Sequence, residues 1–366
     1  MTGGRFAGAL WRTKIWYGDS PHDLGMGQPR PGLVRPVRLD PTGREGPTRG
    51  QARNRKSWRS GGHGFYLPTC VDSGVVEQRI LEASVAVPPG HGVTGWAALR
   101  WIGGAWFTGF DAAGSPLPID VLTGVSGARA REGILRCGEC AGPRNVVLID
   151  EVPITMPAWS VVFMMRRART LHQAVRALDM AAYSDLVSLA EAAEVVERQA
   201  HWTGVPQARD ALARACENAW SPAETSMRLA WEVSIEGSRP QANLPLFDAV
   251  GRHIGTPDLI DVAAGVAADY DSVIHLDREQ RRSDRTRDEV FADHGIEMVR
   301  WLSGDHRDSF LARLHRAHER ARRRRGERSW TAQPPPHWVD TTSVTARRSL
   351  TQSQRQRLLR YRRDVG

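Results

Sequence analysis

The segment from Gly255 to Trp301 constrains the fold more than any other part of the chain. Its first half holds two β-prone runs, LIDV at 259–262 and VAADYDS at 266–272. A long charged stretch follows and ends at Gly295, which is typical of a helix C-cap, and the apolar run IEMVRW comes directly after it. We therefore predict the order strand, strand, helix, strand.

Carboxylates gather at the ends of these predicted strands. Asp269 and Asp271 are two residues apart, so on a strand both side chains leave the same face. Asp258, on the preceding strand, could meet them. Carboxylate oxygens are the usual ligands of hard cations, and such a cation can polarise a phosphoryl oxygen and activate water. The pattern is suited to phosphodiester hydrolysis.

A longer motif strengthens this interpretation. It comprises Asp269-Tyr270-Asp271-Ser272, then His275, then Asp284, Arg287 and Asp288. This order resembles the restriction-endonuclease-like domains related to very-short-patch-repair endonucleases. Ser221-Pro222-Ala223-Glu224, which opens a predicted helix, resembles the acidic first motif of the same family.

The resemblance implies a site and a cofactor. Mg²⁺ or Mn²⁺ would be held by Glu224, Asp258, Asp269 and Asp271. The catalytic residues would be Asp258, Asp269, Asp271 and His275, with His275 acting as general base or acid.

The chain also departs from the family pattern. Its only lysines are Lys14 and Lys56, so the lysine of the wider nuclease superfamily is missing from this domain. Asp269 replaces a commoner Glu, and Ser272 replaces the usual Gly. Acidic residues at strand ends and on exposed helix faces are common in proteins that have no active site. A structural role for these carboxylates and for His275 therefore stays open beside the catalytic one.

Composition excludes several other classes of protein. The chain has 366 residues and no run of eighteen apolar ones, which argues against a membrane span. Its N-terminus lacks the uninterrupted apolar run of a secretory signal. Four scattered cysteines, including the lone pair Cys137 and Cys140, do not make a disulfide scaffold, and they are weak evidence for zinc. We expect a cytoplasmic protein with no membrane partner.

Charge is divided unevenly along the chain. Residues 1–60 carry a net charge of +8 and residues 319–366 carry +9, which leaves −8 for the middle. Affinity for a phosphate backbone should therefore come from the two ends, with DNA as the expected partner. The nucleic-acid-binding residues that we predict are Arg49, Arg53, Arg55, Lys56, Arg59, Arg322, Arg323, Arg324 and Arg325.

The first of these basic groups belongs to a second resemblance. Arg49 to Arg59 precede Gly64-Phe65-Tyr66. This order resembles the end of the small DNA-binding module of abortive-infection-type antitoxins, in which a basic stretch leads into a short strand. The helices that would complete such a module are not visible upstream. A basic loop leading into an edge strand is the alternative.

We predict an α+β protein with a helical middle region and short strands, followed by a restriction-endonuclease-like α/β domain. The expected segments are a disordered basic leader (1–46), a small α+β region resembling the truncated antitoxin module (47–160), a helical connector (161–220), the endonuclease-like domain (221–318) and an Arg-rich helical tail (319–366). The expected function is cation-dependent hydrolysis of DNA. The alternative is a non-enzymatic antitoxin-like or repressor-like factor, which binds DNA or a toxin-like protein through a degenerate nuclease fold.

Overall fold

The computed structural model describes residues 32–62, 64–85, 87–124, 131–271 and 288–362. These residues form a mixed α+β protein with short helices and several small sheets. The chain divides into two compact units, Met1–Ser160 and Val161–Gly366. Each unit has its own buried apolar residues.

The first unit combines small sheets with short helices. Its three-stranded antiparallel sheet has the order β1-β3-β2, with β1 at Val37–Arg38, β2 at Trp58–Gly62 and β3 at Phe65–Pro68. Its two strand pairs are β4 (Ile119–Leu122) parallel to β5 (Ile134–Cys137), and β6 (Val146–Ile149) antiparallel to β7 (Val152–Thr155). Its helices are α1 (Arg49–Arg53), α2 (Val76–Ser84), α3 (Gly95–Trp101) and a 3-10 turn at Pro143–Asn145.

Two tryptophans explain how α3 is held in this unit. Trp101 is 1% exposed and Trp96 is 6% exposed, so both rings are in the core. A buried indole N–H needs an acceptor. Trp96 Nε1 donates to the Pro118 carbonyl (2.8 Å), and Trp101 Nε1 donates to the Ile149 carbonyl (3.0 Å).

Helices make up the first part of the second unit, as the sequence predicts for residues 161–220. They are α4 (Pro157–Arg167, which contains the boundary between the units), α5 (Leu171–Tyr183), α6 (Leu189–Arg198), α7 (Val205–Arg214) and α8 (Pro222–Ser234). The start of α8 has the predicted form, because Ser221 Oγ accepts a hydrogen bond from the Glu224 N–H (3.1 Å) and Pro222 stands in the first turn.

A four-stranded sheet follows α8. Its strands are β8 (Gln241–Ala242), β11 (Leu259–Asp261), β12 (Val266–Asp271) and β13 (Glu297–Leu302), in the order β13-β12-β11-β8. β11 is antiparallel to both its neighbours, whereas β12 and β13 are parallel. The chain passes from β12 to β13 through α9, whose described residues are 288–293. The described elements follow the predicted order strand, strand, helix, strand, and Gly295 ends the helix with φ +78°. Residues 272–287 of the charged stretch lie outside the described residues.

Both faces of this sheet are buried. Leu259, Ala268 and Val299 face α8 and α10 (Arg307–Arg323), where they pack with Trp231 and Phe310. The alternate residues Ile260 and Ala267 pack on the other face with Phe291 of α9 and with Trp330. Trp330 belongs to a second sheet of the order β10-β9-β14, formed by β9 (Leu246–Asp248), β10 (His253–Gly255) and β14 (Trp330–Thr331).

Residues beyond α10 belong to the fold of the second unit. β14 pairs with β9, and α11 (Val344–Arg348) and α12 (Gln352–Leu358) follow, with a 3-10 turn at Arg360–Arg362. Arg347 is 0% exposed, and its Nε donates to Asp185 Oδ1 (2.6 Å). The segment predicted as an Arg-rich tail is therefore anchored, because a buried guanidinium takes its acceptors from the helical region.

The predicted leader also differs from the structure in part. Residues 1–31 lie outside the described part of the chain, whereas residues 34–46 join the first unit. β1 pairs with β3, and the Val34 N–H donates to Gln78 Oε1 (2.9 Å). The Asp40 carboxylate accepts hydrogen bonds from the Thr42, Arg44 and Glu45 backbone N–H groups and holds a tight turn.

The sequence predicts no membrane span, and the lengths and apolar character of the helices can be compared with that prediction. A helix that crosses a bilayer needs about 20 mainly apolar residues. Among the described residues, no helix is both long enough and apolar enough to do so.

Candidate functional site

Asp258 and Asp269 lie side by side where β11 begins and β12 approaches its end. Leu259 pairs with Ala268, so the antiparallel register brings these two aspartates opposite each other. The Asp258 N–H donates to Asp269 Oδ1 (3.0 Å), and the Tyr270 N–H donates to Asp258 Oδ2 (2.7 Å). Each carboxylate thus accepts a backbone hydrogen bond from the other strand. The structure brings together two of the four predicted ligands.

Glu224, in the first turn of α8, is the third predicted ligand. Its side chain is buried, and Oε2 accepts hydrogen bonds from the Trp220 N–H (2.7 Å) and from Asn243 Nδ2 (2.6 Å). The Asn243 N–H in turn donates to the Asp258 carbonyl (2.9 Å). Asn243 therefore links Glu224 to the strand end that carries Asp258.

Burial dominates the electrostatics of Glu224. Desolvation raises the pKa of its carboxyl to about 7, against the lowering effect of the hydrogen bonds from Trp220 and Asn243, and the negative charge of Asp269 raises it further. A carboxyl with a pKa near neutrality can exchange a proton at working pH.

Asp271, the fourth predicted ligand, has a different partner. Arg300 Nη1 is 3.4 Å from Asp271 Oδ2, and Arg300 Nη2 is 2.8 Å from Asp288 Oδ2. Arg300 lies opposite Asp269 in the parallel register of β12 and β13. Asp271 therefore forms an ion pair with Arg300 of β13, which also binds Asp288 of α9. Among the described residues, Asp271 does not join the hydrogen-bonded pair of Asp258 and Asp269.

Oxygen donors of the kind that hard cations prefer lie in this region. They are the carboxylates of Asp258, Asp269 and Glu224 and the buried amide oxygen of Asn243, Oδ1, which accepts no hydrogen bond within the described ranges. Among the described side chains, however, no three His, Cys, Asp or Glu groups are close enough together to hold a metal ion. His275 lies outside the described residues.

The predicted basic residues fall into two kinds. Arg59 is a structural residue, because its guanidinium binds both oxygens of Glu82, at 2.8 Å and 2.6 Å. Arg324 pairs with Glu297. The others have exposed side chains: Arg49, Arg53, Arg55, Lys56, Arg322, Arg323 and Arg325.

Two residues of the site were missed by sequence reasoning. Asn243 follows β8 and has a positive φ of +49°, a conformation that Asn adopts more readily than most residues. Arg300 lies inside the apolar run that predicts β13. A signal for Asn243 was present, because a lone Asn after a short strand is a turn residue, but its link to Glu224 depends on the tertiary fold.

Comparison with known proteins gives no assignment. No protein-family model, no curated protein and no solved structure matches this chain.

Proposed function

We propose that the second unit is a cation-dependent phosphodiesterase acting on DNA, with its reaction centre at Glu224, Asp258 and Asp269. The observation that carries this proposal is the direct pairing of Asp258 and Asp269 at adjoining strand ends. The buried Glu224, with a pKa near 7, supports it. The order of the surrounding motif, which resembles endonuclease-like domains, adds to the argument.

Each residue of this centre has its own role in the proposed reaction. Asp258 and Asp269 offer oxygens to Mg²⁺ or Mn²⁺, and their backbone hydrogen bonds hold the two carboxylates in place. Glu224 either completes the ligand set or exchanges a proton with the attacking water or the leaving oxygen. When bound, the cation polarises the phosphoryl oxygen and lowers the pKa of a water molecule. His275 remains a candidate for proton transfer, and Asp271 remains a candidate for cation binding.

A plasmid-nicking assay with Mg²⁺ or Mn²⁺ tests the proposal. We expect nicking by the wild type and a loss of at least about a hundredfold in Asp258→Asn and Asp269→Asn, which is the usual size of such effects at a cation site. Asp293→Asn is the matched control, because Asp293 is an exposed carboxylate of the same domain, on α9. Equal activity in Asp258→Asn and the control would overturn the assignment of the site.

A second function is favoured by a different observation. Asp271, one of the four expected ligands, forms an ion pair with Arg300. In addition, residues 221–318 contain no lysine that could correspond to the superfamily lysine. A non-enzymatic factor that binds DNA or a toxin-like protein would have this arrangement if the carboxylates were structural. In that case, purified protein would bind DNA without nicking it at any divalent-cation concentration, and Asp258→Asn would bind like the wild type.

A further inference from the structure

A groove in the second unit lies between α5, α7, α8, the end of β13 and the start of α10. Its volume is about 420 Å³, within the usual range of roughly 300–1,000 Å³ for small-molecule sites. The wall is mainly apolar and includes Leu171, Leu229, Ala230, Val233 and Trp301. Val233 is 76% exposed although it belongs to this wall, so apolar surface is open to solvent there.

Two arginines border the groove. Arg214 at the end of α7 and Arg307 at the start of α10 both have exposed side chains. Within the described parts of the chain, neither guanidinium is paired with a carboxylate. Glu232, the acidic residue of the lining, is already bound to Arg228 at 3.0 Å. The rim is therefore positively charged, and it gains further from the N-terminal end of the α10 dipole.

His172 and Ser226 also line the groove, and their hydrogen bonds exclude a nucleophilic pair. His172 Nε2 lies 2.9 Å from Ser226 Oγ, and Ser226 Oγ lies 2.8 Å from the Pro222 carbonyl. A carbonyl can only accept, so the hydroxyl proton goes to Pro222 and His172 Nε2 must donate to the hydroxyl. Ser226 is therefore not activated by His172, and the groove is suited to binding.

The groove adjoins the carboxylate site through the sheet. Trp301 pairs with Tyr270 in the parallel register, and Tyr270 lies between Asp269 and Asp271. Successive residues of a strand point to opposite faces, so the groove and the carboxylates occupy the two faces of the same sheet end. One face of the Trp301 ring stacks on Phe310, with centroids 4.6 Å apart.

From these observations we infer that the groove binds one nucleotide of a single-stranded nucleic acid, with its base against Trp301 and the apolar wall and its phosphate on Arg214 and Arg307. A base and a phosphate match an apolar wall of this size with two exposed guanidiniums at its rim. Binding of a nucleotide in this groove does not require that the carboxylates hydrolyse anything.

The test measures binding in EDTA, so that any cation-dependent hydrolysis is absent. The probe is a four-nucleotide single-stranded DNA containing 2-aminopurine, whose fluorescence reports stacking of the base. We expect Arg307→Ala and Arg214→Ala to weaken binding about tenfold to a hundredfold each, as for removal of one charged hydrogen bond. Val233→Glu, at an exposed position, should weaken it at least as much by placing a negative charge in the groove.

Arg316→Ala is the matched control. Arg316 is an exposed arginine of the same helix, about 14 Å from Arg307 at 1.5 Å per residue. Each groove arginine should also contribute about 0.7 units to the slope of log affinity against log salt concentration, the value for a single strand. Equal binding and equal slopes for Arg307→Ala, Arg214→Ala and Arg316→Ala would overturn the inference.

Two further results separate this inference from its alternatives. Binding of the probe in EDTA does not require hydrolysis, so a failure of the nicking assay leaves the groove result standing. An acidic, leucine-rich peptide is the competing ligand. If that peptide binds in a manner that depends on Arg307 while the oligonucleotide does not, the groove takes an acidic protein segment and the nucleotide assignment is wrong.

Discussion

Asn243 Nδ2 donates a hydrogen bond to Glu224 Oε2 over 2.6 Å, while the amide oxygen of the same Asn243 side chain is buried and accepts none from the described residues. An unsatisfied buried acceptor costs free energy. Glu224 Oε2 also accepts a hydrogen bond from the Trp220 N–H (2.7 Å), and both hydrogen bonds favour the ionised carboxylate. Burial favours the neutral form more strongly and raises the pKa of Glu224 to about 7.

Stability should depend on pH through Glu224. Its pKa is about 7 in the folded protein, above the ordinary value of 4.5, so the folded state binds the proton more tightly between these values. The free energy of unfolding should fall as pH rises from about 4.5 to 7, by at most roughly 3 kcal/mol from this group. Urea titrations in EDTA across this range should show a flatter profile for Glu224→Gln. An unchanged profile in the variant would contradict the assignment.

A divalent cation should stabilise the second unit. A ligand that binds only the folded state adds about 2.7 kcal/mol at a hundred times its Kd. Millimolar Mn²⁺ or Mg²⁺ should therefore raise the Tm by several degrees, and Asp258→Asn or Asp269→Asn should abolish this shift. The control Asp293→Asn should keep it. The Tm is measured by differential scanning calorimetry with and without the cation. If neither Mg²⁺ nor Mn²⁺ changes the Tm, the non-enzymatic function is favoured.

The buried ion pair of Asp179 and Arg228 should be a major structural element. Asp179 Oδ2 accepts from Arg228 Nη2 (2.8 Å), and the exposed fractions of the two side chains are 0% and 3%. Arg228→Met leaves a buried carboxylate without its cation, so we expect a decrease of about 3–5 kcal/mol in the free energy of unfolding. Arg198→Met, which removes an exposed pair with Glu194 (3.6 Å), should cost less than about 0.5 kcal/mol. Similar decreases in both variants would contradict the expected difference between the buried and the exposed ion pair.

Arg347 should anchor the segment that follows α10. Its guanidinium donates to Asp185 and to the carbonyls of Thr341, Ala182 and Glu217. Arg347→Met leaves these buried acceptors without their donor, and we expect it to lower the free energy of unfolding by about 3 kcal/mol or more. Arg357 is exposed on α12, so Arg357→Met is a matched control that should leave the Tm unchanged. Thermal unfolding of the two variants decides whether residues 344–362 belong to the core of the unit.

Nucleic-acid affinity should reside in the exposed arginines and not in the whole C-terminal charge. Replacing Arg322, Arg323 and Arg325 by Ser should lower DNA affinity and reduce the salt slope by about one unit for each arginine that binds a phosphate. Replacing Arg198 and Arg209, whose side chains pair with Glu194 and Glu197, should change neither. Gel-shift titrations at two salt concentrations measure both quantities. Identical slopes for all variants would mean that residues 322–325 do not bind DNA.

Local sequence signals determined the secondary structure around the candidate site. The β-prone runs at 259–262 and 266–272 and the run at 296–301 became β11, β12 and β13, because strand propensity and turn glycines act over a few residues. Ser221 and Pro222 started α8 for the same reason. The spacing of Asp269 and Asp271 predicted a shared face, which the register of β12 retains.

Pairing between distant residues was decided only by the tertiary structure. The sequence shows Asp258 and Asp269 eleven residues apart, but their mutual hydrogen bonds depend on the register of β11 against β12. No periodicity reveals that Arg300 draws Asp271 away or that Asn243 connects Glu224 to Asp258. Charge counting likewise treats Arg347 and Arg323 alike, whereas burial makes the first a core residue and leaves the second exposed. The physical reason is that propensity is local, while desolvation and ion pairing depend on which surfaces the folded chain brings together.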